Sequence, residues 1–395
     1  MHIPAIQQAI QANEPRLRTR LRELVEIESP SEDKAAVDRA GTLVAQWATQ
    51  LGATVKRHRK KTFGDVLELR FGPARSKYER ILLLGHLDTV WPIGTLAKMP
   101  WREAQGKLYG PGVLDMKAGV VMALEALAAL HELGINPPVT LLLNPDEEVG
   151  STVSRPITEK LARQSSAVFV LEPAQGLAYK TARKGVGDFH LHVQGVAAHS
   201  GVDFQSGHSA VLEMARLIER ISTFTDLARG LTVNPGVIAG GTRSNVIAAE
   251  CTAHIDVRIA KASDAARADR MFRRLTPTNK ACTLTITGGI NRPPMERKPG
   301  TVRLFRQAKD LAAQLGFTLD ESATGGGSDG NFTAALGIPT LDGMGAVGAG
   351  AHAAHEHVVT QHLVERTALL AALLQEQLKT PSRSTKATSR PLIFA

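Results

Sequence analysis

Three apolar runs constrain this chain more than anything else in it. RILLLGHLDTV (80–90), VTLLLN (139–144) and SAVFVLEP (166–173) are near-continuous, without the polar alternation of a half-exposed strand. A strand that is apolar on both faces must be covered on both. That is the condition of a central strand in a mainly parallel sheet flanked by helices. The intervening segments supply the helices: AAVDRAGTLVAQWATQLG (35–52) and DMKAGVVMALEALAALHELG (115–134) carry apolar residues at helical spacing, and each closes on glycine. DVLELRFG (65–72) reads as a further strand. The fold class is therefore α/β, whose strand C-termini gather along one edge and open a crevice there.

A chain of 395 residues exceeds what one ordinary core holds, so two domains are expected. The pattern changes near residue 180. GVGDFHLHVQGVA (185–197) and ECTAHIDVRI (250–259) alternate like half-buried antiparallel strands, with the helix SAVLEMARLIERISTF (209–224) between them and ACTLTITGG (281–289) as another strand. From GTVRLFRQAKDLAAQLG (300–316) the α/β character returns. The expected division is a main domain over 1–179, an inserted α+β domain over 180–292, the remainder of the main domain over 293–378, and a tail over 379–395.

The tail holds Lys379, Arg383, Lys386 and Arg390, no acid, and a Ser/Thr/Pro-rich composition that predicts disorder. The chain has 47 Lys+Arg against 38 Asp+Glu, a net charge of +9; without the four cations of the tail, the rest carries +5. That is little for a nucleic-acid binder, and Phe394 is the tail's one aromatic residue. Neither nucleic acid nor membrane is an expected partner. No apolar stretch approaches the roughly 20 residues of a bilayer span, and the N-terminus lacks a signal-peptide pattern, so a cytoplasmic location is expected. Cys251 and Cys282 lie in strand-like segments without CxxC spacing and read as reduced, buried thiols. Any metal site must then be built from histidine and carboxylate.

Such groups stand at successive strand and loop ends. The first run ends in His86 and Asp88; a Pro/Gly-rich turn delivers Asp115 before its helix; VTLLLN runs into Asp146, Glu147 and Glu148; the third run ends at Glu172; and a Gly/Ala-rich loop carries His352, His355 and His357. Singly, each has a plainer reading: a polar strand end, a helix N-cap at Asp115, a solvated turn at 146–148, an exposed turn at Glu172. Together, one metal site explains them all, and so many oxygen and nitrogen donors suit two zinc ions that share a carboxylate.

The ordered set GHLDTVWPIGT, YGPGVLDMKAG, NPDEEVGS, LEP, AAHSG, TGGGSD and GAHAAHE resembles the co-catalytic zinc exopeptidases and deacylases, which include aminoacylase and acetylornithine deacetylase. Over residues 20–375 it looks most like the folate-hydrolysing glutamate carboxypeptidases. The resemblance implies a zinc-exopeptidase-like sheet with an inserted lid that also dimerises, two zinc ions per subunit, and a cis bond at Asp115–Met116. Asp115 would bridge the ions, with His86 and Glu172 completing one site and Glu148 and His352 the other. Asp88 would be the supporting acid, Glu147 the general base acting on a water between the ions, and Asp146 a structural turn acid. His199 would reach across a homodimer to the partner's oxyanion. Asn245 and Arg258 would lie near the substrate carboxylate, with Arg292 a second guanidinium for it. Gly326 and Ser328 would belong to a loop whose backbone amides line the substrate. Hinges are expected at 178–182 and 292–296. The implied activity is release of a C-terminal amino acid, glutamate first, from N-acyl or folate-like substrates; the alternative is an N-acyl-amino-acid deacylase or dipeptidase. No lysine matches the family's contact to the glutamate side chain, so Lys180 or Lys184 would have to substitute, or the specificity differs.

Overall fold

A computed structural model of the chain describes residues 3–379, so most of the basic tail lies outside the described residues. The three apolar runs form the centre of one sheet, in the spatial order Thr54–His58, Val66–Phe71, Val139–Asn144, Arg80–His86, Ser165–Val170, Thr340–Leu341. The last four are mutually parallel, and the first two close that edge antiparallel. A bridge between Lys180 and Asp342 attaches Ala178–Arg183, which pairs in parallel with Asp320–Thr324. The helix Ala118–Glu132 is buried along almost its whole length, as a helix apolar on every side must be. Gly119 allows it to lie that close: a Cβ there would meet the Leu171 carbonyl at 2.1 Å. The helix that follows Asp115 is thereby pressed against the strand end that delivers Glu172.

A second, antiparallel sheet runs Thr232–Gly240, Glu250–Ile259, Gly185–Gln194, Thr283–Arg292. Along Gly185–Gln194 every second residue is buried, and Phe189, Leu191 and Val193 pack with Met214, Leu217 and Phe272 of the helices Ala210–Ser222 and Ser263–Arg273. This sheet begins later than residue 180, because Ala178–Arg183 pairs with Asp320–Thr324 in a two-stranded sheet beside the main one. The two connections between the sheets run side by side, with Arg183 and Met295 bridged. Pattern reading passed over Thr232–Gly240. Its Pro235 and Gly236 break the alternation, and the structure accommodates them with an edge position and a register shift between Pro235 and Val237. Cys251 and Cys282 are buried free thiols. No helix among the described residues is long and apolar enough to cross a membrane.

Candidate metal centre

Parallel strands bring their C-terminal ends to one edge, and there the expected donors meet. His86 Nε2 lies 3.3 Å from Asp115 Oδ1 and 3.7 Å from Glu172 Oε1. On the other side, His352 Nε2 lies 3.5 Å from Asp115 Oδ2 and 3.3 Å from Glu148 Oε2. The two oxygens of Asp115 thus face two separate histidine–glutamate pairs. Zinc bonds of about 2.0–2.1 Å in a tetrahedron put neighbouring donors about 3.3–3.5 Å apart, so these spacings fit a metal on each side. Glu148 Oε1 is buried and has no hydrogen-bond partner, as a donor awaiting a cation would be. The bond between Asp115 and Met116 is cis.

Glu147 also stands close: its donor atom, with those of His86 and Glu172, falls within a 4.8 Å cluster, as do those of His86, Asp115 and Glu148. What distinguishes it from the other donors is Arg292, whose Nη2 lies 3.0 Å from Glu147 Oε1. Burial pushes the Glu147 carboxyl well above the usual range and nearby Glu172 adds to this, while Arg292 opposes it. Burial and then Asp115 bring Glu172 to about 7. Hydrogen bonds to Asp115 and Glu148 raise His352 to about 10. Burial alone would lower His86, but the Asp115 and Asp88 carboxylates outweigh it and raise it well above its ordinary value.

Asp88 supports the centre more broadly than expected. Its backbone carbonyl accepts the His86 Nδ1–H at 2.9 Å, with the carboxylate 3.4 Å away. The carboxylate itself accepts the N–H groups of Glu147 and Glu148, both at 3.1 Å, and the Ser31 hydroxyl at 2.7 Å. Asp146 is the turn acid predicted: fully buried, it accepts the Val153 N–H at 2.7 Å. Glu356 holds the Asp115 loop by accepting the N–H groups of Gly112, Leu114 and Asp115 at 2.8–3.1 Å and the Trp91 indole at 2.9 Å. His357 packs against Tyr109 rather than entering the centre.

Two expectations for the substrate groups need correction. Ser328 is fully buried; its hydroxyl donates to Asp342 at 2.6 Å and its N–H to Asn331 Oδ1 at 2.9 Å, so neither faces a ligand. Arg292 is no free clamp: it is 5% exposed, with Nη1 given to Asp329 and Nη2 to the Glu147 carbonyl and Ser151. Gly326 is exposed, and its carbonyl accepts from Arg183. Arg258 pairs with Asp256 and reaches the Gly325 carbonyl at 3.3 Å, which brings the antiparallel unit onto the glycine-rich loop. His199 and Asn245 lie in adjoining loops, joined by a bridge from His199 to Val246 and by the Ser200 N–H to the Asn245 carbonyl. Both are exposed, and neither touches the donor cluster of its own chain among the described residues. His199 Nδ1 accepts two backbone N–H groups, at 3.1 and 3.2 Å, which leaves Nε2–H as its outward donor.

Sequence reasoning named Lys180 only as one of two possible contacts for a glutamate side chain, and it missed Arg183 and Asp342 behind the donors. Arg183 grips Asp342 through two bonds of 2.6 and 2.8 Å, and its Nη2 lies 3.8 Å from Glu172. Lys180 is buried beside Arg183, Asp342, Glu172 and Asp115, yet its ammonium forms no ion pair among the described residues. Only these residues' proximity in space marks them; no local motif does.

Carboxylates and imidazoles converging at the C-terminal edge of a parallel sheet define the site of a metal-dependent hydrolase. The chain belongs to peptidase family M20/M25/M40, whose family model matches residues 82–376. It is 30% identical over 378 residues to carboxypeptidase G2 of Pseudomonas sp. (strain RS-16), covering 93% of this chain and 90% of that one. Among solved structures, aminopeptidase PepT of Bacillus cereus aligns with a TM-score of 0.77 at 22% identity, over 93% of this chain and 99% of that one. A dinuclear metal-binding peptidase of Bacillus subtilis aligns with a TM-score of 0.69 at 15% identity, over 94% and 99%. These two likenesses are of fold.

Metal and proton compete for the donors, because ligand histidines must be neutral. A folded-state pKa raised above the unfolded value near 6.5 contributes stability that is complete below about pH 6.5 and fades as pH climbs toward the folded value. For His352 that fading runs to about 10. Raising pH should therefore weaken the metal-free protein while tightening metal binding. Melting with and without a chelator should show a larger metal-induced rise in Tm at pH 9 than at pH 6. An equal or smaller rise at pH 9 would exclude proton displacement.

Proposed function

We propose that the chain is a zinc enzyme with two ions per subunit, which releases a C-terminal amino acid, glutamate first, from N-acyl or folate-like substrates. The observation that carries this reading is Asp115, whose two oxygens each face their own histidine–glutamate pair. When bound, the ions would polarise the scissile carbonyl and acidify a water. Glu147, a stronger base for its burial, takes the proton and returns it to the leaving amine. Arg183 holds Glu172 from behind. Lys180, whose ammonium forms no ion pair among the described residues, supplies the positive charge that an acidic leaving residue requires, and Arg258 lies at the rim beside the glycine-rich loop.

The working unit is a homodimer in which His199 of a second copy stabilises the oxyanion. An exposed edge strand with Val237 and Ile238 outward, Leu212 on the adjoining helix, and Val202 and Phe204 beside His199 support such a contact. The mass of the protein in solution tests this; a monomer at working concentration would refute it.

The activity is tested with zinc-loaded protein and substrates of one acyl group with glutamate, aspartate, alanine or arginine as leaving residue. Glutamate should be released fastest. Lys180→Ala should lower kcat/KM for the glutamate substrate about 10- to 100-fold, the worth of a charged hydrogen bond, and for the alanine substrate much less. Equal losses on both would remove Lys180 from specificity. Faster release of another residue would move the enzyme to the deacylase or dipeptidase branch.

A further inference from the structure

Arg292 is the last residue of the strand Thr283–Arg292, where the antiparallel unit returns to the main sheet. Its guanidinium contacts go not to that unit but to the turn carrying Glu147 and to Asp329. Nη2 meets the Glu147 carboxylate at 3.0 Å, the Glu147 carbonyl at 2.9 Å and the Ser151 hydroxyl at 3.0 Å, while Nη1 meets Asp329 at 2.5 Å. Asp329, itself buried, also accepts Asn144 Nδ2 at 2.6 Å and the Ser151 hydroxyl. The guanidinium lies 4.9 Å from the Phe332 ring centroid. The neighbouring residue repeats the attachment: Asn291 Nδ2 donates to the Gly150 carbonyl at 3.2 Å, and its own carbonyl accepts from Arg155 at 3.1 Å.

We infer that Arg292 is a positioning residue for Glu147, fixing the carboxylate of the base and fastening the end of the strand Thr283–Arg292 to the turn 147–151, so that the two form one body. The inference rests on Glu147 being the base. Only a planar fork can serve Asp329, Ser151 and both parts of Glu147 at once; an ammonium cannot. A consequence follows for motion. Any bending of the antiparallel unit relative to this turn takes place on the unit's own side of Asn291 and Arg292, not at 293–296, so the base does not shift with it.

The test is Arg292→Lys, alone and in a Glu147→Gln background, with metal content and Tm measured on each protein. Arg292→Lys should lower kcat about 100-fold, with KM for the N-acyl-glutamate substrate within threefold and metal content unchanged. In the Glu147→Gln background the same change should cost less than threefold, since there is no base left to position. A rise in KM of tenfold or more with kcat retained would make Arg292 a substrate clamp and overturn the inference, as would an equal loss of kcat in both backgrounds. If Arg292→Lys does not fold, Asp329→Asn loosens the guanidinium from its far side and must show the same kcat-only loss; full kcat there also overturns it. Turnover by Glu147→Gln near the wild-type level would instead refute the base itself.

Discussion

Glu147→Ala should retain its metals and lose turnover by about 100- to 10,000-fold, the usual share of a general base. The separation is expected because the two neighbouring glutamates are held differently. Glu148 reaches His352 and leaves a buried oxygen without partner, whereas Glu147 is drawn aside by Arg292. Loss of metal along with activity would mean that the roles of Glu147 and Glu148 are exchanged. The same variant tests the dimer. His199→Ala should also be inactive, folded and dimeric. When the two variants exchange subunits, a mixed dimer joins an intact base in one chain to an intact His199 from the other, giving one working site in two. An equal mixture should then recover about a quarter of wild-type activity. If His199 acted within its own chain, or not at all at the centre, the mixture would gain nothing from exchange.

The largest expected effect on stability comes from Arg183→Met. Arg183 and Asp342 are 4% and 0% exposed at their side chains, and two charged hydrogen bonds join them. Removing the guanidinium leaves Asp342 buried with the Ser328 hydroxyl and the Gly343 N–H as its hydrogen-bond donors and no ion pair, at a cost of about 3–5 kcal/mol. Arg183→Met/Asp342→Leu should recover part of that loss, because the buried charge is then gone as well. Denaturant unfolding of the metal-free proteins measures both. A single variant within about 1 kcal/mol of wild type would show that water reaches Asp342. Because Arg183 also faces Glu172, the metal on that side should bind more weakly in either variant.

The legible part of this molecule was what its local sequence determines. Apolar runs specify buried parallel strands, strand ends specify the edge, and His86, Asp115, Glu148, Glu172 and His352 meet there as the motif order predicted. The illegible part consists of partners chosen across long separations. Arg183 and Asp342 are 159 residues apart, and the carboxylate of Glu356 reaches the Asp115 loop from 241 residues away. Arg292 and Ser328 were noticed, but not what they bind, since a guanidinium or hydroxyl reads the same in sequence whether it awaits a ligand or is already engaged. Thr232–Gly240 escaped because a proline inside a strand argues against one until the edge position and the register shift are seen.

Asp88 has a consequence for how such a protein can change over generations. One carboxylate receives the backbone N–H groups of both Glu147 and Glu148, while its own carbonyl faces His86. A substitution at 88 should therefore disturb the proposed base and the His86 and Glu148 donors in a single step, whereas one at 147 should leave those donors in place. A descendant that kept the donor cluster but gave up hydrolysis, to become a receptor for the same ligands, would have an open route through position 147 and a closed one through position 88.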